Sequence, residues 1–116
     1  MEKAAMIDLV LNAHMQLFAE HNFDNLEALF TEDFIEHSPF VKGNLEGLKA
    51  LVTECGPKLK YTNVRKFAND EYVVLHGGFE HLTEEPLIGF DIYRVKDGKI
   101  AEHWDNLVPK GEPNIS

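Results

Sequence analysis

The hydrophobic period of this chain changes near its midpoint, and that change fixes the order in which helices and strands occur. Up to Cys55 apolar residues recur at the three-to-four spacing of a helix face; beyond Lys60 they alternate at the period of a strand. From Ala5 to His21 the helical stripe is Ile7, Val10, Leu11, Leu17 and Phe18, with His14 on the same face. Asp24, with Glu27 three residues on, predicts the capped start of a short second helix carrying Leu26, Leu29 and Phe30. Phe34 to Ser38 leans towards strand. Asn44 then predicts the cap of a third helix carrying Leu45, Leu48, Leu51 and Val52, stopped by Gly56 and Pro57. Four strands follow, from Lys60 to Phe67, Tyr72 to His81, Leu87 to Val95 and Lys99 to Leu107, with Asp97-Gly98 the plainest hairpin turn between them. Gly77-Gly78 falls inside a strand and predicts a bulge or bend. Helices first and an antiparallel meander last predict an α+β domain in which a curved sheet wraps three N-terminal helices. A length of 116 residues suits one such domain, placed at 1–108, with an extended or disordered tail over 109–116.

Charge and cysteine content narrow the function classes. Twenty Asp and Glu against eleven Lys and Arg leave a formal charge of -9. Such a surface repels phosphate backbones and anionic lipid, so neither nucleic acid nor membrane is an expected partner. No apolar run approaches the roughly 20 residues needed to span a bilayer, and the N-terminal MEKAAMIDLV lacks a basic segment followed by an apolar one, so a cytoplasmic location is expected. Cys55 is the only cysteine, which excludes an intramolecular disulfide and a thiolate cluster, and its helical spacing from Val52 reads as packing.

A curved sheet has a concave face, and alternation tells which side chains share it. Asp91, Tyr93 and Val95 fall on one side of their strand, against Phe90, Ile92 and Arg94. Ala101, His103, Asp105 and Leu107 fall on one side of the next, against Ile100, Glu102, Trp104 and Asn106. Neither strand has a wholly apolar side. Alternation alone therefore leaves the inward face open.

Two segments break the tie by resemblance. Phe34-Ile35-Glu36-His37-Ser38-Pro39 followed by Gly43 to Leu48, and Phe90 to Asp105 with its D-x-x-R-x-x-D-G-K-I-x-E-H-W-D string, resemble the SnoaL-like polyketide cyclase family. Within it the chain is most similar to uncharacterised bacterial SnoaL-like proteins predicted to perform aldol condensation. The resemblance implies an NTF2-like cone enclosing a ligand cavity, with Asp91, Tyr93, His103 and His37 pointing inward. It also implies that Asp91 acts as acid and base in an aldol-type ring closure, with no metal or organic cofactor. The physics suits the role, since a carboxyl in an apolar cavity has its charged form destabilised. It can then take a proton alpha to a carbonyl, while a nearby imidazole stabilises the enolate oxygen. Asp91 and His103 are thus the expected catalytic pair, with His37, His76, Tyr93, His14 and Phe18 contacting a small hydrophobic or carbonyl-containing ligand; His14, Leu17 and Phe18 are placed near the cavity mouth. The chain is shorter than the antibiotic-pathway cyclases. It also lacks the aspartate before the proline at Ser38 that a ketosteroid isomerase would use.

Plainer readings stand beside these. Asp91 can instead pair structurally with a cavity histidine or with Arg94, and the same fold serves non-catalytic ligand binding or dimerisation. His37, His76, Asp91 and His103 can converge in a cone, but neither H-x-H nor H-E-x-x-H occurs, so no metal is expected. Ile92, Ile100 and Trp104 alternate away from the presumed cavity, which predicts a homodimer through the outer sheet face.

Overall fold

The computed structural model describes residues 1–38, 41 and 43–111. Helix α1 spans Lys3–Met15 and runs on through a wide π-helical turn, Gln16–Glu20. Its buried side chains are Met6, Val10, Ala13, His14, Leu17 and Phe18. The π turn lets two consecutive residues, Leu17 and Phe18, both face the core. His21 closes the turn in the left-handed conformation at φ 54°, and its Nε2 lies 2.9 Å from the Leu59 carbonyl.

Helix α2 is only Leu26–Leu29. The capping box expected at Asp24 does not form: Asn25 stands at the cap in the left-handed region at φ 65°, with no side-chain cap bond. Phe30, expected to close the helical stripe, instead opens β1, Phe30–Glu36. The strand wins because Phe30 and Phe34 bury their rings together, with centroids 4.8 Å apart. Helix α3, Leu45–Cys55, starts as its sequence predicts, with Asn44 Oδ1 accepting from the Gly47 N–H at 2.9 Å. An ion pair from Lys49 to Glu27 ties α3 to α2.

Strands β2 (Lys60–Asn69), β3 (Tyr72–Glu80), β4 (Leu87–Lys96) and β5 (Lys99–Pro109) follow within one or two residues of their predicted ends. They form one sheet in the order β1-β5-β4-β3-β2, antiparallel except where β1 runs parallel to β5. Asp97 and Gly98 both take positive φ, 52° and 77°, as a tight primed turn requires. The region around Gly77 is bulged as expected, with the extra residue, Val64, on the facing strand β2. A side chain at Gly77 would meet the Thr62 carbonyl and the Tyr61 hydroxyl at 2.4 Å, so only glycine lets β2 bend across it. The five-residue stretch 112–116 of the expected tail lies outside the described residues, and Pro109 belongs to β5.

The helices cover the concave face. The core they share with the sheet includes Met6, Val10, Leu17, Leu48, Val52, Val73, Leu75, Tyr93, Val95 and Ile100. Ile100 corrects an expectation. Between Arg94 and Val95 the β4–β5 register slips, so that Val95 faces Ile100 while Arg94 faces Glu102. Ala101 is the extra residue, and the bulge turns Ile100 into the core, fully buried, instead of out with Trp104. No helix among the described residues is long and apolar enough to cross a membrane.

Candidate functional site

Strands β1, β4 and β5 each send acid or imidazole groups into the concave side, where α1 meets them. His103 stands at the centre. Its Nε2 lies 2.8 Å from Asp91 Oδ1, and its Nδ1 lies 2.7 Å from both oxygens of Glu36. Glu36 is fixed in turn by the Ser38 backbone N–H, which donates to Oε2 at 2.9 Å. The three side chains are almost wholly buried. Burial alone pushes the His103 imidazole down, but hydrogen bonds from its ring to Asp91 and Glu36, together with their charges, overturn that and hold it up at about 10. His103 is therefore an imidazolium donating from both nitrogens, clamped between two carboxylates. Tyr93 stacks on it at 4.4 Å.

From the helical side, His14 completes the cluster. Its Nδ1 lies 2.5 Å from the Tyr93 hydroxyl, and its Nε2 lies 3.7 Å from Asp91 Oδ2, beyond hydrogen-bond reach. Burial is the main cause that holds His14 down at about 4, so it is neutral at physiological pH. Burial likewise pushes the Tyr93 phenol well above its ordinary value. Phe18, Tyr61 and Phe79 surround the His14 ring, with centroids 4.2 to 5.7 Å away. His14 Nε2 and Asp91 Oδ2 are both buried, and neither has a hydrogen-bond partner. Such facing, unpartnered atoms are uncommon in an interior where buried polar atoms are nearly always paired.

Asp105, half-buried one turn of alternation beyond His103, is pushed upward chiefly by burial. Glu36, His103 and Asp105 bring potential ligand atoms within 4.8 Å of one another. The donor set fits a cation poorly, because His103 already commits both ring nitrogens to carboxylates as a cation itself.

Asp91, His103, Tyr93, His14 and Phe18 are thus brought together as expected, although His14, Leu17 and Phe18 are buried under the sheet and do not rim an opening. His37 and His76 are not brought there. His37 follows Glu36 and so projects to the convex face, where it stacks on Trp104 at 4.9 Å and pairs with Glu102 at 2.8 Å. His76 alternates with the buried Leu75 and Gly77 and stacks outside on Phe90 at 4.8 Å. The inward placement expected of both is corrected by the pleat. The residue that sequence reading passed over is Glu36. Its signal was present, since it alternates in phase with the buried Phe34. The described pockets lie away from the cluster; the larger two, of about 470 and 340 Å³, are lined by Phe30, Phe34 and Leu45, and by Gly78, Leu87 and Ile88.

The SnoaL-like domain model matches residues 11–103, most of the chain and nearly all of the cluster. The chain belongs to the SnoaL-like family. Its fold is also that of solved structures at low sequence identity. An NTF-2 like protein of unknown function from Burkholderia xenovorans LB400 is 19% identical, with 94% of this chain and 88% of that one covered at a TM-score of 0.73. A SnoaL-like polyketide cyclase from Agrobacterium tumefaciens is 16% identical, with 93% of each chain covered at 0.70. An LEH-like epoxide hydrolase from M. tuberculosis is 14% identical, with 93% and 86% covered at 0.70. None of the curated proteins shows a significant sequence match. The SnoaL-like chain thus shares an NTF2-like α+β architecture whose solved members carry several different activity names.

Proposed function

We propose that this SnoaL-like protein is a cofactor-independent acid/base enzyme acting on a small carbonyl compound, with Asp91 as the base. The observation that carries the reading is the asymmetry of the Asp91 carboxyl. Oδ1 is held by the His103 imidazolium, while Oδ2 is buried and unpaired. One oxygen is anchored and the other is left to act.

The hydrogen bonds support the same direction. His103 is held from both sides, by Asp91 Oδ1 and by Glu36, so a substrate proton can arrive at Oδ2 without breaking either bond. Enolisation has these needs: a base with an unengaged oxygen, and a scaffold that needs no rearrangement while it acts. The cavity expected inside the cone is filled by side chains at this point, so a ligand would have to displace part of the Phe18, Tyr61 and Phe79 cover to reach the cluster. Aldol-type bond formation, isomerisation and loss of water all begin with this enolate, and the cyclase and hydrolase names among the fold relatives accord with acid/base chemistry without choosing among these reactions.

Exchange of the α-hydrogens of cyclohexanone with D2O, followed by NMR, tests the base directly. The wild-type protein is expected to accelerate exchange above buffer, and Asp91→Asn, which keeps the shape, is expected to lose about 10²-fold or more of that rate. A wild type no faster than buffer would favour the alternative, a non-catalytic ligand-binding module of the same fold.

A further inference from the structure

We infer that His14, held by Tyr93 as the Nε2–H tautomer, is the hydrogen-bond donor to the substrate oxygen, so that the site takes a C–H acid whose carbonyl is directly attached to the carbon losing its proton. The inference rests on the acid/base reading above and adds to it the residue that holds the substrate oxygen.

An enolate needs a donor at its oxygen as well as a base at its carbon. Of the imidazoles expected at the site, His103 has both nitrogens committed to Asp91 and Glu36, and His37 and His76 lie on the convex face. His14 alone among them combines full burial with a nitrogen that has no partner, and that nitrogen faces the unpaired oxygen of Asp91.

The tautomer follows from what surrounds the ring. Tyr93 keeps its hydroxyl proton, and His14 is neutral, so one of its nitrogens accepts and the other donates. A lone pair on Nε2 would look straight at the Asp91 carboxylate 3.7 Å away; an N–H there is attracted to it. The Tyr93 O–H therefore donates to Nδ1, and Nε2 carries the proton. A neutral imidazole is a suitable electrophile in enolisation, because it stabilises the oxyanion without surrendering its proton to it.

The 3.7 Å between Nε2 and Oδ2 then sets the substrate. Donor and base stand side by side, close enough to serve adjacent atoms of one O=C–C–H unit, and too close to serve groups separated by a ring. In the step itself the α C–H bond breaks, its proton goes to Asp91 Oδ2, and its electron pair forms the C=C bond of the enolate. The carbonyl π pair moves to oxygen, where His14 Nε2–H holds it. Return of the proton from Oδ2 to carbon, at the same or a conjugated position, restores the enzyme.

The experiment uses the full chain with cyclohexanone in D2O. His14→Phe keeps the ring and removes the donor; exchange should fall about 10²-fold, and His14→Gln, which restores an N–H, should recover part of the loss. Tyr93 acts through His14 as a positioning residue, so Tyr93→Phe should lower exchange about tenfold. The ¹⁵N shifts of His14 should also change from a pure Nε2–H pattern to a mixture. Nitrogen NMR of the wild type gives an independent check if the His14 variants do not fold. A wild-type Nδ1–H pattern, or His14→Phe exchange equal to wild type while Asp91→Asn is inactive, would overturn the role of His14 and leave Asp91 standing. Wild-type exchange no faster than buffer would overturn both.

Discussion

His103 and His37 make nearly the same contact in opposite surroundings. The two residues adjoin across β5 and β1, where the His37 backbone N–H donates to the His103 carbonyl at 3.0 Å, and each ring pairs with a carboxylate at 2.7 to 2.8 Å. The His103 side chain is 2% exposed and the His37 side chain 38%. The pleat of the sheet makes that difference, and the difference decides what the contact is worth. Water screens the outer pair, whose partner Glu102 also binds Arg94 at 2.8 Å. Inside, no solvent replaces a lost partner, and the carboxylates hold the His103 proton far into the alkaline range. A histidine–carboxylate pair is a surface ornament on one side of this sheet and a fixed charge on the other.

Removing each ring is the severest way to break the comparison. His103→Leu leaves Asp91 and Glu36 buried without a counter-ion, and chemical denaturation at neutral pH should show a loss of about 3–5 kcal/mol. His37→Leu should cost less than about 1 kcal/mol. Equal losses would mean that the inner charges are relieved by water.

The pH dependence of stability sharpens it further. The folded His103 value, raised from 6.5 to about 10, gives a contribution that is complete below pH 6.5 and is lost as pH rises towards 10. His14, lowered from 6.5 to about 4, works in the other sense: the unfolded chain binds the extra proton, so stability is lost as pH falls from 6.5 towards 4. Each limb should slope by about 1.4 kcal/mol per pH unit, giving a maximum near pH 6.5 in denaturant midpoints measured from pH 4 to 10. His14→Phe should flatten the acid limb and His103→Leu the alkaline one.

A smaller effect concerns what the convex face is for. Phe67, Tyr72, Phe90 and Val108 are exposed there, and Glu102 is paired with Arg94 and His37. On a chain of charge -9, an apolar face whose acid is paired would oppose a second copy less than an unpaired acidic one. Sedimentation at micromolar concentration should show a homodimer, and Phe90→Glu should weaken it about tenfold or more without unfolding the protomer.

The fold was legible where one period ran unbroken. Strand ends fell into place because β-branched and aromatic residues alternate between turn residues, and Asp97-Gly98 left a single choice of hairpin. It was illegible where the period slips by one residue. The π turn after Met15 and the bulge at Ala101 each insert a residue that no local composition announces, whereas the bulge at Val64 was signalled by Gly77-Gly78 on the facing strand. The short second helix formed, but its cap and its end differ for another reason: packing of Phe30 on Phe34 outweighed a capping pattern worth only about 1 kcal/mol. At the site, Asp91, Tyr93 and His103 followed from resemblance and alternation. Glu36 was hidden because its neighbour His37 drew the attention, though the two necessarily point to opposite faces.

Ala101 has a consequence for how chain length is tolerated. Seen as a wave, β5 consists of two trains of period two joined at Ala101 by a half-period slip. Loss of that residue would merge the trains, with Ile100 and His103 still in the interior and Glu102 and Trp104 still outside. Loss of a residue from the regular stretch that follows would reverse the phase of everything beyond it. The spacing between hairpin and buried imidazole is therefore elastic at one point and rigid at every other.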